Sequence, residues 1–68
     1  TMIGTYEITG EWFGRLEEVV DYIEEEGYEV LESNREYISF VDPDDDSEYV
    51  AYLGGTARTI YISEIKEA

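Results

Sequence analysis

Carboxylates are the only abundant chemical groups in this 68-residue chain: 18 acidic side chains against 4 basic ones, with no histidine and no cysteine. Paired carboxylates can act as general acid and base in hydrolysis. Spaced carboxylates can ligate calcium, and rows of them can meet a cationic surface. The segment Asp42-x-Asp44-x-Asp46-x-Glu48 begins like a calcium loop, with acids at positions 1, 3, 5 and 7. An EF-hand needs Gly at position 6 and Glu at position 12, where this chain has Ser47 and Leu53. A calcium role for Asp42, Asp44 and Asp46 is therefore a side reading, and a solvated acidic turn is the expectation. No resident cofactor or metal is expected.

The missing residue types narrow the chemistry further. Without histidine the chain lacks the usual general base, transition-metal ligand and neutral-pH switch. Without cysteine it has no disulfide, thiolate nucleophile or Cys-based zinc site. A domain this thin is also a poor host for a deep pocket, so the expectation is a protein that is not an enzyme. The net charge of −14 excludes direct nucleic-acid binding through a basic surface. Arg15, Arg35, Arg58 and Lys66 are scattered and form no patch.

The elements that must carry these acids follow from hydrophobic period. Leu, Ile, Val and Phe make up a quarter of the chain, above the roughly 20 % that flags disorder. One small domain, residues 1–68, is expected, with Thr1 ahead of Met2 read as a cloning remnant. A chain of this size buries only about 60 % of its unfolded surface, so its core must be thin.

Met2–Thr9 alternates as a strand, and Gly10 breaks it. From about Trp12 to Glu26 the period changes. Phe13, Leu16, Val19, Val20 and Ile23 recur at helical spacing, and Gly27 suits the left-handed position after the last turn. Gly14 leaves the helix start open: Thr9 could cap it, or it begins nearer Arg15. Further strands are read at Tyr28–Glu32, Glu36–Val41, Glu48–Leu53 and Arg58–Ser63. Turns fall at Ser33-Asn34, Asp42–Ser47 and Gly54-Gly55, and the last residues are expected to fray.

The resulting fold class is α+β in the order β-α-β-β-β-β, a largely antiparallel sheet with one amphipathic helix on one face. Phe13, Leu16, Val20 and Ile23 would cover Ile8, Val30, Ile38, Phe40, Val50, Ile60 and Ile62, and many tyrosines would face water. There is no apolar run long enough to cross a membrane and no basic-then-apolar leader. A monomer without a membrane partner is expected.

The acids are unevenly placed. Glu17, Glu18, Asp21, Glu24 and Glu25 lie at about 0, 100, 40, −20 and 80° on a helix, forming one stripe opposite the apolar face. Glu17, Asp21 and Glu25 follow each other at about 6 Å along the axis. Like charges at i, i+4 cost a few tenths of a kcal/mol per pair, and no lysine is interleaved to relieve them. Asp42, Asp44, Asp45, Asp46 and Glu48 form a second cluster, and Glu29, Glu32 and Glu36 a third. Glu24–Glu26 also sit at the negative end of the helix dipole. Charge placed at local cost points to a cationic partner, with Tyr22 beside the stripe as an aromatic contact.

In size, charge, the stripe Glu17–Glu25 and the acidic loop Asp42–Glu48, the chain resembles the small acidic DNA-mimic inhibitors of phages and mobile elements, of anti-CRISPR and antirestriction type. Gly10-Glu11-Trp12-Phe13 followed by Glu17-Glu18-Val19 is similar to the opening of ArdA-type antirestriction proteins. The spacing differs, and those proteins are longer and have several domains. The resemblance implies binding to the basic nucleic-acid-binding surface of a host defence complex, with DNA excluded. It transfers no site by position. The candidate contacts are Glu17, Glu18, Asp21, Tyr22, Glu24, Glu25, Asp42, Asp44, Asp45, Asp46 and Glu48. The competing readings are a halophile-adapted acidic domain and an acidic module for another basic protein. Against salt adaptation, Glu outnumbers Asp 13 to 5 and alanine is scarce.

Overall fold

The computed structural model describes residues 14–55 and 59–68. The strand expected at Met2–Thr9, the Thr9 cap, Trp12, Phe13 and Ile8 lie outside the described residues.

The helix α1 spans Leu16–Glu25. It starts later than the apolar period alone suggests, because Gly14 and Arg15 bend and Arg15 is extended (φ −138°, ψ 155°). Arg15 gives no side-chain cap, but its carbonyl accepts the Glu18 N–H at 3.1 Å. The helix ends as read from sequence. Gly27 takes φ +97°, the left-handed conformation that closes a helix at little cost only for glycine.

Four strands follow: β1 Glu29–Ser33, β2 Tyr37–Asp42, β3 Ser47–Gly55 and β4 Ile60–Glu67. They form one antiparallel meander in the order β1-β2-β3-β4. The helix packs across one face, against β1 and reaching β4. The protein is thus an α+β fold. Val19 and Ile23 of α1 bury themselves among Ile38, Phe40, Tyr49, Ala51, Ile60 and Ile62. Leu16, Val20, Tyr22, Tyr28, Val30, Leu53 and Ile65 close the margin of that core. The helix face is therefore centred on Val19 and Ile23, with Leu16 and Val20 at its edge.

Three strand assignments are corrected. Val50 was expected inside, yet Tyr49 and Ala51 are the buried residues of β3, and Val50 lies on the opposite face. The hairpin fixes this: Asp42 pairs with Ser47, which sets Phe40 opposite Tyr49 and Ile38 opposite Ala51. Phe40 stacks on Tyr49 at 5.8 Å, and Tyr28 meets both rings edge-on at 5.3 and 6.5 Å. Packing of this aromatic trio decides which face turns inward.

Gly54-Gly55, expected as the turn, instead continues β3, paired with Tyr61 and Ile60. A Cβ on Gly55 would stand 2.1 Å from the Thr59 carbonyl, and its φ of +152° also favours glycine. Gly55 thus serves close backbone approach, while Gly54 lies under the end of the Tyr61 side chain. Lastly, the C-terminal residues do not fray. β4 runs to Glu67, and the Ala68 N–H donates to the Glu48 carbonyl at 2.8 Å, because the nine-residue β3 offers backbone partners that far.

Candidate functional site: an acidic helix stripe and an acidic hairpin

The stripe forms as the sequence implies. Glu17, Glu18, Asp21, Glu24 and Glu25 are all exposed on α1. They occupy about 12 Å of helix axis, one carboxylate per about 3 Å. Tyr22 stands at one margin of the stripe, half-buried against the core, and Val20 stands at the other. Glu17 and Glu18 favour the positive N-terminal end of the helix, but no basic residue lies in its last turn. Glu24, Glu25 and Glu26 therefore add negative charge to an already negative end.

The second cluster is a tightly organised hairpin turn. The Asp42 carbonyl accepts the N–H of Asp45 at 3.3 Å and of Asp46 at 2.8 Å. The Asp42 carboxylate accepts the Asp44 N–H at 2.9 Å, and Asp42 itself is buried. Asp42 thus builds the turn, while Asp44, Asp45, Asp46 and Glu48 carry its surface charge. Asp46 takes φ +61°, which Asp tolerates better than most residues. The Asp45 carboxylate accepts the Ser47 N–H at 2.9 Å. That bond, helped by the Ser47 hydroxyl, holds the Asp45 carboxyl below its usual range. Among the described residues no three carboxylates converge closely enough to hold a metal ion, Asp42, Asp44 and Asp46 included.

Topology brings the C-terminal acids of the stripe and the acidic hairpin to one end of the sheet, while Glu17 and Glu18 stay at the Arg15 end. β1 starts opposite the end of β2, with Glu29 across from Val41, so the α1–β1 turn lies beside the Asp42–Ser47 hairpin. Glu67 of β4, opposite Tyr49, ends there too. Glu24, Glu25, Glu26, Glu29, Asp44, Asp45, Asp46, Glu48 and Glu67 thus share this end. Arg15 and Arg35 sit at the opposite end, with Glu32 and Glu36 of the third group. Sequence spacing showed each cluster separately, but only the register of β1 on β2 joins them.

Two ion pairs form among the described residues, Arg15–Glu17 at 3.6 Å and Lys66–Glu64 at 3.7 Å, both exposed. Pairs of this kind contribute about 0–1 kcal/mol, so the stripe and hairpin remain largely uncompensated. The far face of the sheet presents Tyr52, 43 % exposed, and Tyr61, 36 % exposed. No described helix is long and apolar enough to cross a membrane. No family model, curated protein or solved structure matches the chain.

Proposed function

We propose that the protein is an acidic DNA mimic: a binding module that occupies the basic groove of a nucleic-acid-binding protein and excludes its DNA, without catalysis. The observation carrying this reading is the exposed α1 stripe. Its mean density of one carboxylate per about 3 Å of axis, in uneven steps of about 1.5 and 4.5 Å, compares with one charge per 3.4 Å along one strand of duplex DNA. The hairpin acids at the same end extend the negative surface beyond the helix. Following the resemblance, the partner is a host defence complex of CRISPR or restriction type, met in the cytoplasm. Charge complementarity would make association fast and salt-sensitive.

The test is the triple substitution Glu17→Lys, Asp21→Lys and Glu25→Lys. All three side chains are exposed, so the fold should persist by circular dichroism. Binding to the partner and inhibition of its DNA binding should be lost. Undiminished inhibition by the triple variant would overturn the assignment to this helix face.

A further inference from the structure

Resting on that reading, we infer that the groove between α1 and β1 is a receptor for a single arginine side chain projecting from the partner. The groove is a concavity of about 410 Å³, lined by Leu16, Glu17, Val20, Asp21 and Ser33. That volume falls at the low end of the roughly 300–1,000 Å³ of small-ligand sites. Its position follows from helix geometry. Leu16 and Val20 lie one turn apart on the flank of α1, at about −100 and −60° on the scale that puts Glu17 at 0° and Asp21 at 40°. The apolar edge of the core and two acids of the stripe, Glu17 and Asp21, thus meet in one channel, and Ser33 at the end of β1 forms its far wall.

This division of chemistry matches an arginine. Its methylene stem would lie along Leu16 and Val20, which are only half-buried. Its planar guanidinium would reach the carboxylates of Glu17 and Asp21, one helical turn apart. Arginine suits this better than lysine. Its guanidinium is less strongly hydrated than an ammonium and offers several donors in a fixed plane to two carboxylates at once. The chain already brings a guanidinium to the rim: Arg15 pairs with Glu17 at 3.6 Å, with both side chains exposed to water. An incoming arginine would compete with that loose pair for Glu17.

The probe is a short glycine-flanked peptide carrying one arginine, compared with its neutral citrulline counterpart. It is titrated into the full chain while the methyl signals of Leu16 and Val20 are followed by NMR. The arginine peptide should shift both signals saturably, and the citrulline peptide should not. Glu17→Gln with Asp21→Asn should weaken binding by about fivefold or more. Arg15→Ala should tighten it by removing the internal competitor. Ser33→Lys, which keeps every carboxylate, should place an ammonium in the groove mouth and block the peptide. Folding of each variant is checked by amide signal dispersion. Unmoved Leu16 and Val20 methyls, equal shifts with citrulline, or full binding by a folded Ser33→Lys variant would each overturn the groove assignment. Those outcomes are distinct from failure of the DNA-mimic reading, which shows instead as no DNA-competed partner while the peptide still binds.

Discussion

At the residue scale, acids in this chain perform two different tasks, and hydrogen bonding separates them. Asp42 is spent on building the hairpin, through its buried carboxylate and its carbonyl. Asp45 remains on the surface yet is tied to Ser47. Its folded-state pKa is lowered, so the stability this bond contributes is fully present above the ordinary carboxylate range. It is lost as pH falls through the lowered folded value. In a carboxyl carbon NMR titration, Asp45 should show its midpoint below 3.8. Ser47→Ala should move that midpoint partly back, since the hydroxyl is lost while the backbone N–H stays. A midpoint unmoved by Ser47→Ala would remove the hydroxyl from the explanation.

At the element scale, α1 is a helix whose surface opposes its own stability. Asp21 and Glu25 repel at i, i+4, and Glu25 adds to the negative C-terminal end. Glu25→Lys reverses both terms and should stabilise the fold by about 0.5–1 kcal/mol. In a chain this short that is a rise of several degrees in Tm, about 4–8 °C per kcal/mol. The same change should weaken partner binding. A variant that is both more stable and fully active would remove the functional reason for the acid at position 25.

Elements with a clear period were legible in the sequence. Leu16, Val19, Val20 and Ile23 announce the helix, Gly27 its end, and Ile38 and Phe40 the inner face of β2. β3 was harder, because Tyr49-Val50-Ala51-Tyr52 alternates residues that are all compatible with burial or exposure. Its inward face was settled by the Asp42–Ser47 pairing and by the Phe40–Tyr49 stack, neither of which is local to β3. Gly54-Gly55 carries the signature of a hairpin turn, but both residues lie inside the ladder, where Gly55 is held to glycine by its positive φ and the Thr59 backbone, and Gly54 packs under the Tyr61 ring. The acids of the candidate site were visible as clusters from spacing alone. The meeting of Glu24–Glu26 with the hairpin acids at one end of the sheet was not, since it depends on long-range register.

At the scale of the whole molecule, a net charge of −14 on a thin core makes self-repulsion a standing cost. Screening shortens from about 30 Å at 0.01 M salt to about 3 Å at 1 M. The Tm should therefore rise across that range while the chain stays folded at the low end. Unfolding at 0.01 M salt would favour the salt-adapted reading, in which the acids serve solvation of the fold. A surface arranged for a cationic partner predicts, in addition, selective binding that salt weakens.

The most direct test uses the full chain as bait in a lysate from bacteria with active DNA-defence systems, with short duplex DNA as the competitor. The DNA-mimic account predicts a retained nucleic-acid-binding protein that duplex DNA displaces in proportion to its concentration. It also predicts no retention by the Glu17→Lys, Asp21→Lys, Glu25→Lys variant. Partners held equally with and without DNA, or held equally by that variant, would contradict it.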